Sequence, residues 1–252
     1  MPVRRRFAPA SLELEDISAG RVEPRYAKVL ARLMAAHALA EKLTAVGYQQ
    51  ALMTIEGPRL RSTIEKNAAE ERRHARMIYA ALAEIGISEA QADRLMVSAA
   101  KGPSFAAPRG FADRVDDEID LVMGSISLDA TGMLMIGINY RDSSYGPHAR
   151  AAESILDDEA EHESFGLEAL GWIVDRFGPD RVQAALRTWL PRAVNFFGPP
   201  GSGFTFDCLT FGLKSRDNQE LADLYLAMIE RRLEQLGLTR PALTDNYPHE
   251  AV

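Results

Sequence analysis

Two Glu-x-x-His sequences, Glu71 to His74 and Glu159 to His162, each follow a separate carboxylate, Glu41 or Asp129, by the same interval of 30 residues (71−41 and 159−129). The two halves repeat at a fixed offset, since 129−41, 159−71 and 162−74 all equal 88. On a helix, residues i and i+3 share one face, so a Glu and a His at that spacing aim an oxygen and a nitrogen at a common point. One such pair supplies half of a metal site. Di-metal carboxylate bundles take a Glu from each of two helices and a Glu-x-x-His from each of the other two, all pointing inward. Glu41, Glu71, His74, Asp129, Glu159 and His162 fill that pattern, with Asp in place of one Glu.

The residue types also set the chemistry. Four carboxylates buried together without partners would have to take up protons or destabilise the fold. Two divalent cations remove that conflict. An oxygen-rich set with two imidazoles and no thiolate suits iron or manganese. His37 lies one turn before Glu41 on the same stripe, where a partner to the site and a core histidine are both open readings. Cys208 and the two tryptophans read as packing residues.

Two helical hairpins must position these groups. The midpoint between 41 and 71 falls beside Gly57-Pro58, and that between 129 and 159 beside Gly146-Pro147, both strong turn signals. Arms of ~15 residues, about 22 Å at the helical rise, then bring Glu41 level with Glu71 and Asp129 level with Glu159. Residues 1–20 read as an extended arm, and Glu23-Pro24 opens a helix to about Thr54 with the stripe Leu30, Met34, His37, Glu41, Ala45, Tyr48 and Leu52. A second helix carries Ile64, Asn67, Glu71, His74, Ile78 and Leu82 and closes at Gly86. A short helix over Ser88 to Ala99 follows, then a loop with Gly102-Pro103 and Pro108-Arg109-Gly110.

The third long helix is expected over Phe111 to Tyr140, with Asp129 its one charged residue between Asp120 and Arg141. The fourth runs from about Pro147 to Phe177 with Ala152, Ile155, Glu159, His162, Gly166 and Ile173 in line. Asp157, Asp158, Glu161 and Glu163 read as its solvent cover, and Glu70, Arg72 and Arg73 serve that role on the second helix. A fifth segment follows Gly178-Pro179, then the loop Gly198 to Gly203, and a last helix spans about Asn218 to Leu236. No run alternates as a strand does. The expected class is all-α, a ferritin-like four-helix bundle with added C-terminal helices. It forms one domain over 1–252, with a tail from 240.

A net charge of −7 and a pI near 5.4 give no basic field for nucleic acid. The single cysteine excludes an internal disulfide framework and fits a reducing compartment, so the chain reads as cytoplasmic. Arg4-Arg5-Arg6 is followed by an acidic run rather than the apolar stretch of a signal peptide. Leu121 to Ile138 is nearly apolar, but Asp129 at its middle favours a central bundle helix over a membrane span. No phosphate-binding glycine loop, nucleophile elbow or Cys-x-x-Cys is present.

Ser144-Tyr145-Gly146-Pro147-His148-Ala149-Arg150-Ala151 resembles the Ser-Tyr-Gly-Pro-Tyr-Ala-Arg-Ala of one family at the same distance before the second Glu-x-x-His. That family is the catalytic alpha-type subunits of ring-1,2-phenylacetyl-CoA epoxidase, from bacterial phenylacetate degradation. Phe197-Gly198-Pro199-Pro200 and Leu236-Gly237-Leu238-Thr239 extend the resemblance, which covers roughly 24 to 242. It implies that the six residues named above are iron ligands, with Glu71 and Glu159 as bridges. The family's Asp-Glu-Ala-Gly-His is here Glu70-Glu71-Arg72-Arg73-His74, and Asp129 matches only after a shift of one residue.

The resemblance further implies a di-iron monooxygenase that places one oxygen atom of O2 on an aromatic acyl-CoA. Because the chain has no flavin, nicotinamide or iron–sulfur motif, electrons would come from a separate reductase. A ferritin-like sister subunit or a homo-oligomer is the implied assembly. The alternatives are a ferritin-like hydroxylase of another substrate, such as a modified tRNA base, and a non-catalytic structural or iron-handling subunit.

Overall fold

The computed structural model describes residues 3–53, 55, 58–99 and 117–243. Within them the chain is helical, with no strand beyond a single bridge between Leu12 and Tyr145. The elements are α1 (Leu14–Ser18), α2 (Pro24–Ala51), α3 (Pro58–Glu84), α4 (Glu89–Ala99), α5 (Glu118–Leu134), a π-helical extension (Met135–Tyr140), α6 (Gly146–Phe177), α7 (Pro179–Phe196), α8 (Gly203–Phe211) and α9 (Asn218–Gln235). α2 packs on α3 and α5 on α6, and contacts of α3 with α6 and of α2 with α5 close the four-helix bundle. α7 and α9 then cover α5.

The predicted stripes are the buried ones. Leu30, Met34, Ala45 and Tyr48 of α2 and Ile64, Ile78 and Leu82 of α3 are all core residues. Pro24 and Pro147 start α2 and α6 at positions whose N–H groups have no intrahelical acceptor, so proline costs nothing there. Asp117 caps α5, its Oδ1 accepting from the N–H groups of Ile119 (2.8 Å) and Asp120 (2.9 Å). The predicted start at Phe111, Thr54 and Gly57, and the loop motifs between 102 and 110 lie outside the described residues, as do 244–252 of the tail.

Three features depart from the sequence pattern. The third helix does not stay α to Tyr140, because its last turns are π-helical. There Ser215 Oγ donates to the Ile138 carbonyl (2.6 Å), while Asn139 Oδ1 accepts from the N–H groups of Ser215 (3.0 Å) and Arg216 (2.8 Å), so a neighbouring loop secures the widened turn. α8 falls in a stretch to which the sequence pattern assigns no element, and it forms behind an N-cap in which Ser202 Oγ accepts from Thr205 N–H (3.1 Å). The arm is not simply extended: it contains α1, and it straps the base of α6.

That strap is held by backbone bonds from Ala10 to Ser143, Leu12 to Ser144 and Gly146 to Leu12, at 2.7–2.9 Å. A double contact of Arg150 with Glu13 (2.8 Å for each oxygen) adds to them. Where the strap crosses the end of α8, Gly212 adopts φ +72, and a Cβ there would meet the Phe7 carbonyl oxygen at 2.5 Å. Gly212→Ala is therefore expected to destabilise the protein by ~2 kcal/mol or more. At ~2–4 °C per kcal/mol for a chain of this size, the midpoint in thermal denaturation should fall by about 4–8 °C.

The span Glu118–Tyr140 is the one described helix long and apolar enough to cross a membrane. Two-thirds of its most apolar window is buried inside the bundle (67%). Of the two tryptophans, Trp189 packs in the core and donates to Asp120 Oδ1 (3.0 Å), whereas Trp172 is partly exposed beside Arg176 and Phe177.

Candidate metal centre

All six ligand candidates converge at the centre of the bundle, each no more than 6% exposed. They fall into two overlapping groups whose oxygen and nitrogen atoms lie within 4.8 Å of one another: Glu41, Glu71, His74 and Glu159 in the first, Glu71, Asp129 and His162 in the second. Glu71 supplies an atom to both. Glu159 stands in the first, with Gly132 of α5 leaving it room, since a Cβ there would lie 3.1 Å from Glu159 Oε2.

The histidines show what the gap between these groups suits. His74 Nδ1 lies 3.3 Å from Glu41 Oε2 and 3.5 Å from Glu159 Oε1, and His162 Nδ1 lies 3.2 Å from Glu71 Oε1. Neither nitrogen has a well-aligned hydrogen bond, although both are buried. Atoms bound to one ion at ~2.1 Å and 90–110° sit about 3.0–3.4 Å apart, the spacing seen here. The donor set therefore fits two metal ions. Four carboxylates would balance two divalent cations with both imidazoles neutral.

The opposite face of each imidazole is also fixed. His74 Nε2 is 3.0 Å from Asp158 Oδ2, and His162 Nε2 is 3.0 Å from Glu70 Oε2. Each carboxylate comes from the residue just before the motif glutamate of the other hairpin. Arg73 holds Asp158 and Lys66 approaches Glu70 (3.6 Å). Glu70 and Asp158 were expected as solvent cover and instead brace the site across the bundle. Their own separation, 158−70 = 88, repeats the offset of the ligands. Such outer partners orient metal-binding histidines and fix their tautomers. Asp158→Ala and Glu70→Ala are each expected to weaken metal binding by about 10–100-fold, measured by anaerobic titration.

Asp129 is held by two hydroxyls: Tyr48 Oη donates to its Oδ2 at 2.9 Å, and Ser125 Oγ donates to the same oxygen. Asn67 Nδ2 supports Tyr48 from the α3 side at 3.4 Å. Tyr48 and Asn67 lay on the predicted stripes and Ser125 within the nearly apolar run of the third helix, but nothing in their spacing marked them as partners of Asp129.

In the absence of cations the cluster retains protons. Burial, then the charges of Glu41 and Glu159, push Glu71 well above the usual carboxylate range. Burial raises Glu159 to about 7, against hydrogen bonding from His74. Burial also raises Asp129, in spite of His162, Ser125 and Tyr48. Burial would raise Glu41 too, yet hydrogen bonds from His37 and His74 outweigh it and hold that carboxyl low. Burial would lower His74, but bonds to Glu159 and Glu41 carry it up to about 10. Metal binding must displace these protons.

A cavity of about 230 Å³ abuts the first group. Glu41, His37 and Gly132 form its inner wall, and Met135, Ile136 and Phe204 are among its apolar lining. Lys214 also lines it, only 3% exposed, with Asn218 Oδ1 as its hydrogen-bond partner and no described carboxylate in ion-pair range. Burial lowers its pKa. This cation was not legible in the sequence, because the connection between α8 and α9 that carries it has no periodic pattern.

The solved structure of protein 19 with aldehyde deformylating oxidase activity from Synechococcus is similar to this chain, with a TM-score of 0.63 and 17% identity, covering 86% of this chain and 94% of that one. That likeness is one of fold, and the fold is ferritin-like. No curated protein sequence matches. Residues 21–250 match the family described as phenylacetic acid catabolic protein, and with nearly the whole chain covered, it is to that family that this protein belongs.

Proposed function

We propose that this chain is the oxygen-inserting subunit of a multicomponent di-iron monooxygenase acting on an aromatic acyl-CoA, as in ring epoxidation of phenylacetyl-CoA. Glu41, Glu71, His74, Asp129, Glu159 and His162 are its proposed metal ligands. Two irons, or manganese in their place, would supply the reduction of O2. The reaction balances as substrate, O2, two electrons and two protons giving the oxygenated product and water. The electrons call for a separate reductase, since the sequence has no flavin, nicotinamide or iron–sulfur motif. A ferritin-like sister subunit or a second copy is the proposed structural partner, and the cytoplasm its proposed place.

The observation that carries this reading is the cavity that ends at Glu41. An apolar cavity of ~150 Å³ accommodates benzene, so the 230 Å³ here has room for an aromatic ring and the start of an acyl chain, but not for CoA. Apolar walls support this reading, since a ring seated on them would lie beside the first ligand group. Lys214, which has an amide oxygen as its partner, would offer its remaining N–H donors to the thioester oxygen. The half-exposed Arg32, Ser202 and Phe204 form the outer end, from which CoA would extend into solvent.

The test is O2 uptake by iron-loaded protein with a reductase and phenylacetyl-CoA under ¹⁸O2. Substrate-dependent uptake with one labelled oxygen in the organic product supports the proposal. Iron oxidation without labelled product would support the iron-handling alternative.

A further inference from the structure

Two buried histidines outside the ligand set stand in line behind Glu41, and the nearer one, His37, also lines the cavity. His37 Nε2 lies 2.9 Å from Glu41 Oε1, while the other oxygen of Glu41, Oε2, faces His74 Nδ1 in the gap between the ligand groups. His37 Nδ1 in turn lies 3.0 Å from Nε2 of His148, on the first turn of α6. The Tyr140 ring rests against both imidazoles, with centroid separations of 4.5 Å to His37 and 5.0 Å to His148. His148 is fully buried and its Nδ1 has no hydrogen-bond partner. It stands where the resembling Ser-Tyr-Gly-Pro segment has a tyrosine.

The contacts determine where the protons are. A carboxylate oxygen and an imidazole lone pair 2.9 Å apart would repel, so His37 Nε2 carries hydrogen even though the oxygen lies off the N–H axis. In the neutral ring Nδ1 is then an acceptor, and His148 must donate to it through Nε2–H. That leaves His148 Nδ1 as a bare lone pair, which costs less buried and unpartnered than a charged or donating nitrogen. Burial keeps His148 neutral, in agreement with this assignment. The tautomers thus run in one direction, from His148 through His37 to Glu41.

We propose that His148 and His37 form a positioning pair that holds Glu41 Oε1 at the cavity wall, so that Glu41 turns Oε2 to the metal of the first group. This rests on the metal-binding reading above. Neither histidine touches Asp129 or His162 in the described contacts, so the pair acts on one of the two ions only. His37→Leu removes the donor, His37→Gln keeps an N–H at a similar reach, and His148→Phe leaves His37 Nδ1 without its donor.

The experiment is anaerobic titration of the metal-free full chain with Co2+, followed by its d–d absorption, with thermal unfolding of each metal-free variant alongside. The expected result is two bound ions in the unaltered protein. In His37→Leu one ion should be held about 10–100-fold more weakly and the other unchanged, with an altered spectrum for the weakened ion. His37→Gln should recover affinity and spectrum, and His148→Phe should fall between. A purely structural role would lower the unfolding temperature and leave both affinities alone, which would overturn the pair. Equal weakening in His37→Gln and His37→Leu would overturn it as well. If His37→Leu does not fold, His148→Phe against His148→Gln carries the same comparison. If the unaltered protein binds no Co2+, the metal-binding reading fails and the pair with it; if it binds two and the variants do so equally, the pair alone fails.

Discussion

Stripped of metal, this protein is expected to lose stability as pH rises from about 5 to 8, and the loss should vanish when divalent metal is restored. Glu71 and Glu159 both have carboxyls raised above the ordinary value of 4.5, Glu159 to about 7, because burial and neighbouring carboxylates oppose ionisation. A raised folded pKa gives stability that is fully present below the unfolded pKa and lost as pH climbs through the folded one. The window for Glu159 is thus roughly pH 4.5 to 7, with Glu71 extending it upward. His74, raised to about 10, acts in the same sense at higher pH. Glu41, held low by His37 and His74, acts oppositely and only on the acid side. The combined loss should amount to a few kcal/mol, or a fall of ~5–15 °C in unfolding temperature. Added Fe2+ or Co2+ displaces the protons and fills the charge deficit, and at ~1,000 times the dissociation constant each ion contributes about 4 kcal/mol. A chelator-treated protein whose stability is flat or rising across this window would contradict the picture of a crowded anionic cluster.

The second large effect is expected at Lys214. Replacing it with methionine keeps most of the unbranched stem and removes a buried cation whose hydrogen-bond partner is an amide oxygen. Loss of a hydrogen bond to a charged group is worth ~1.5–3 kcal/mol, so acyl-CoA binding should weaken by about 10–150-fold. The folded protein should be no less stable, and by the cost of burying a charge it should gain ~1 kcal/mol or more. Metal content should not change. Isothermal titration with phenylacetyl-CoA and thermal unfolding of the same sample measure both sides. A variant that is less stable and binds substrate as before would make Lys214 a structural residue.

The legible part of this molecule was the part governed by a single helix. Glu71 with His74, and Glu159 with His162, meet because residues three apart share a face in any α-helix, and Glu41 and Asp129 follow from hairpin arms of equal length. What crosses between helices was harder to read. Glu70 and Asp158 carry the same offset as the ligands, yet their partners lie on the opposite hairpin and depend on how the helices are rotated against each other. The π turn at Met135–Tyr140 arises from Ser215, 75 or more residues downstream, which no local window contains. α8 is rich in aromatic and β-branched residues, Phe204, Thr205, Phe206, Thr210 and Phe211, whose helix propensity is modest, and only Ser202 signalled its start. His37 was visible one turn before Glu41, but its second partner, His148, sits on another helix.

The most direct measurement is elemental analysis of anaerobically iron-reconstituted protein beside a Glu71→Ala, Glu159→Ala double variant. About two irons per chain, absent from the double variant, is the expected result, because Glu71 serves both ligand groups and Glu159 completes the first. No bound iron, or the same iron content in the variant, would contradict the dinuclear centre and leave a ferritin-like bundle whose buried acids serve some other end.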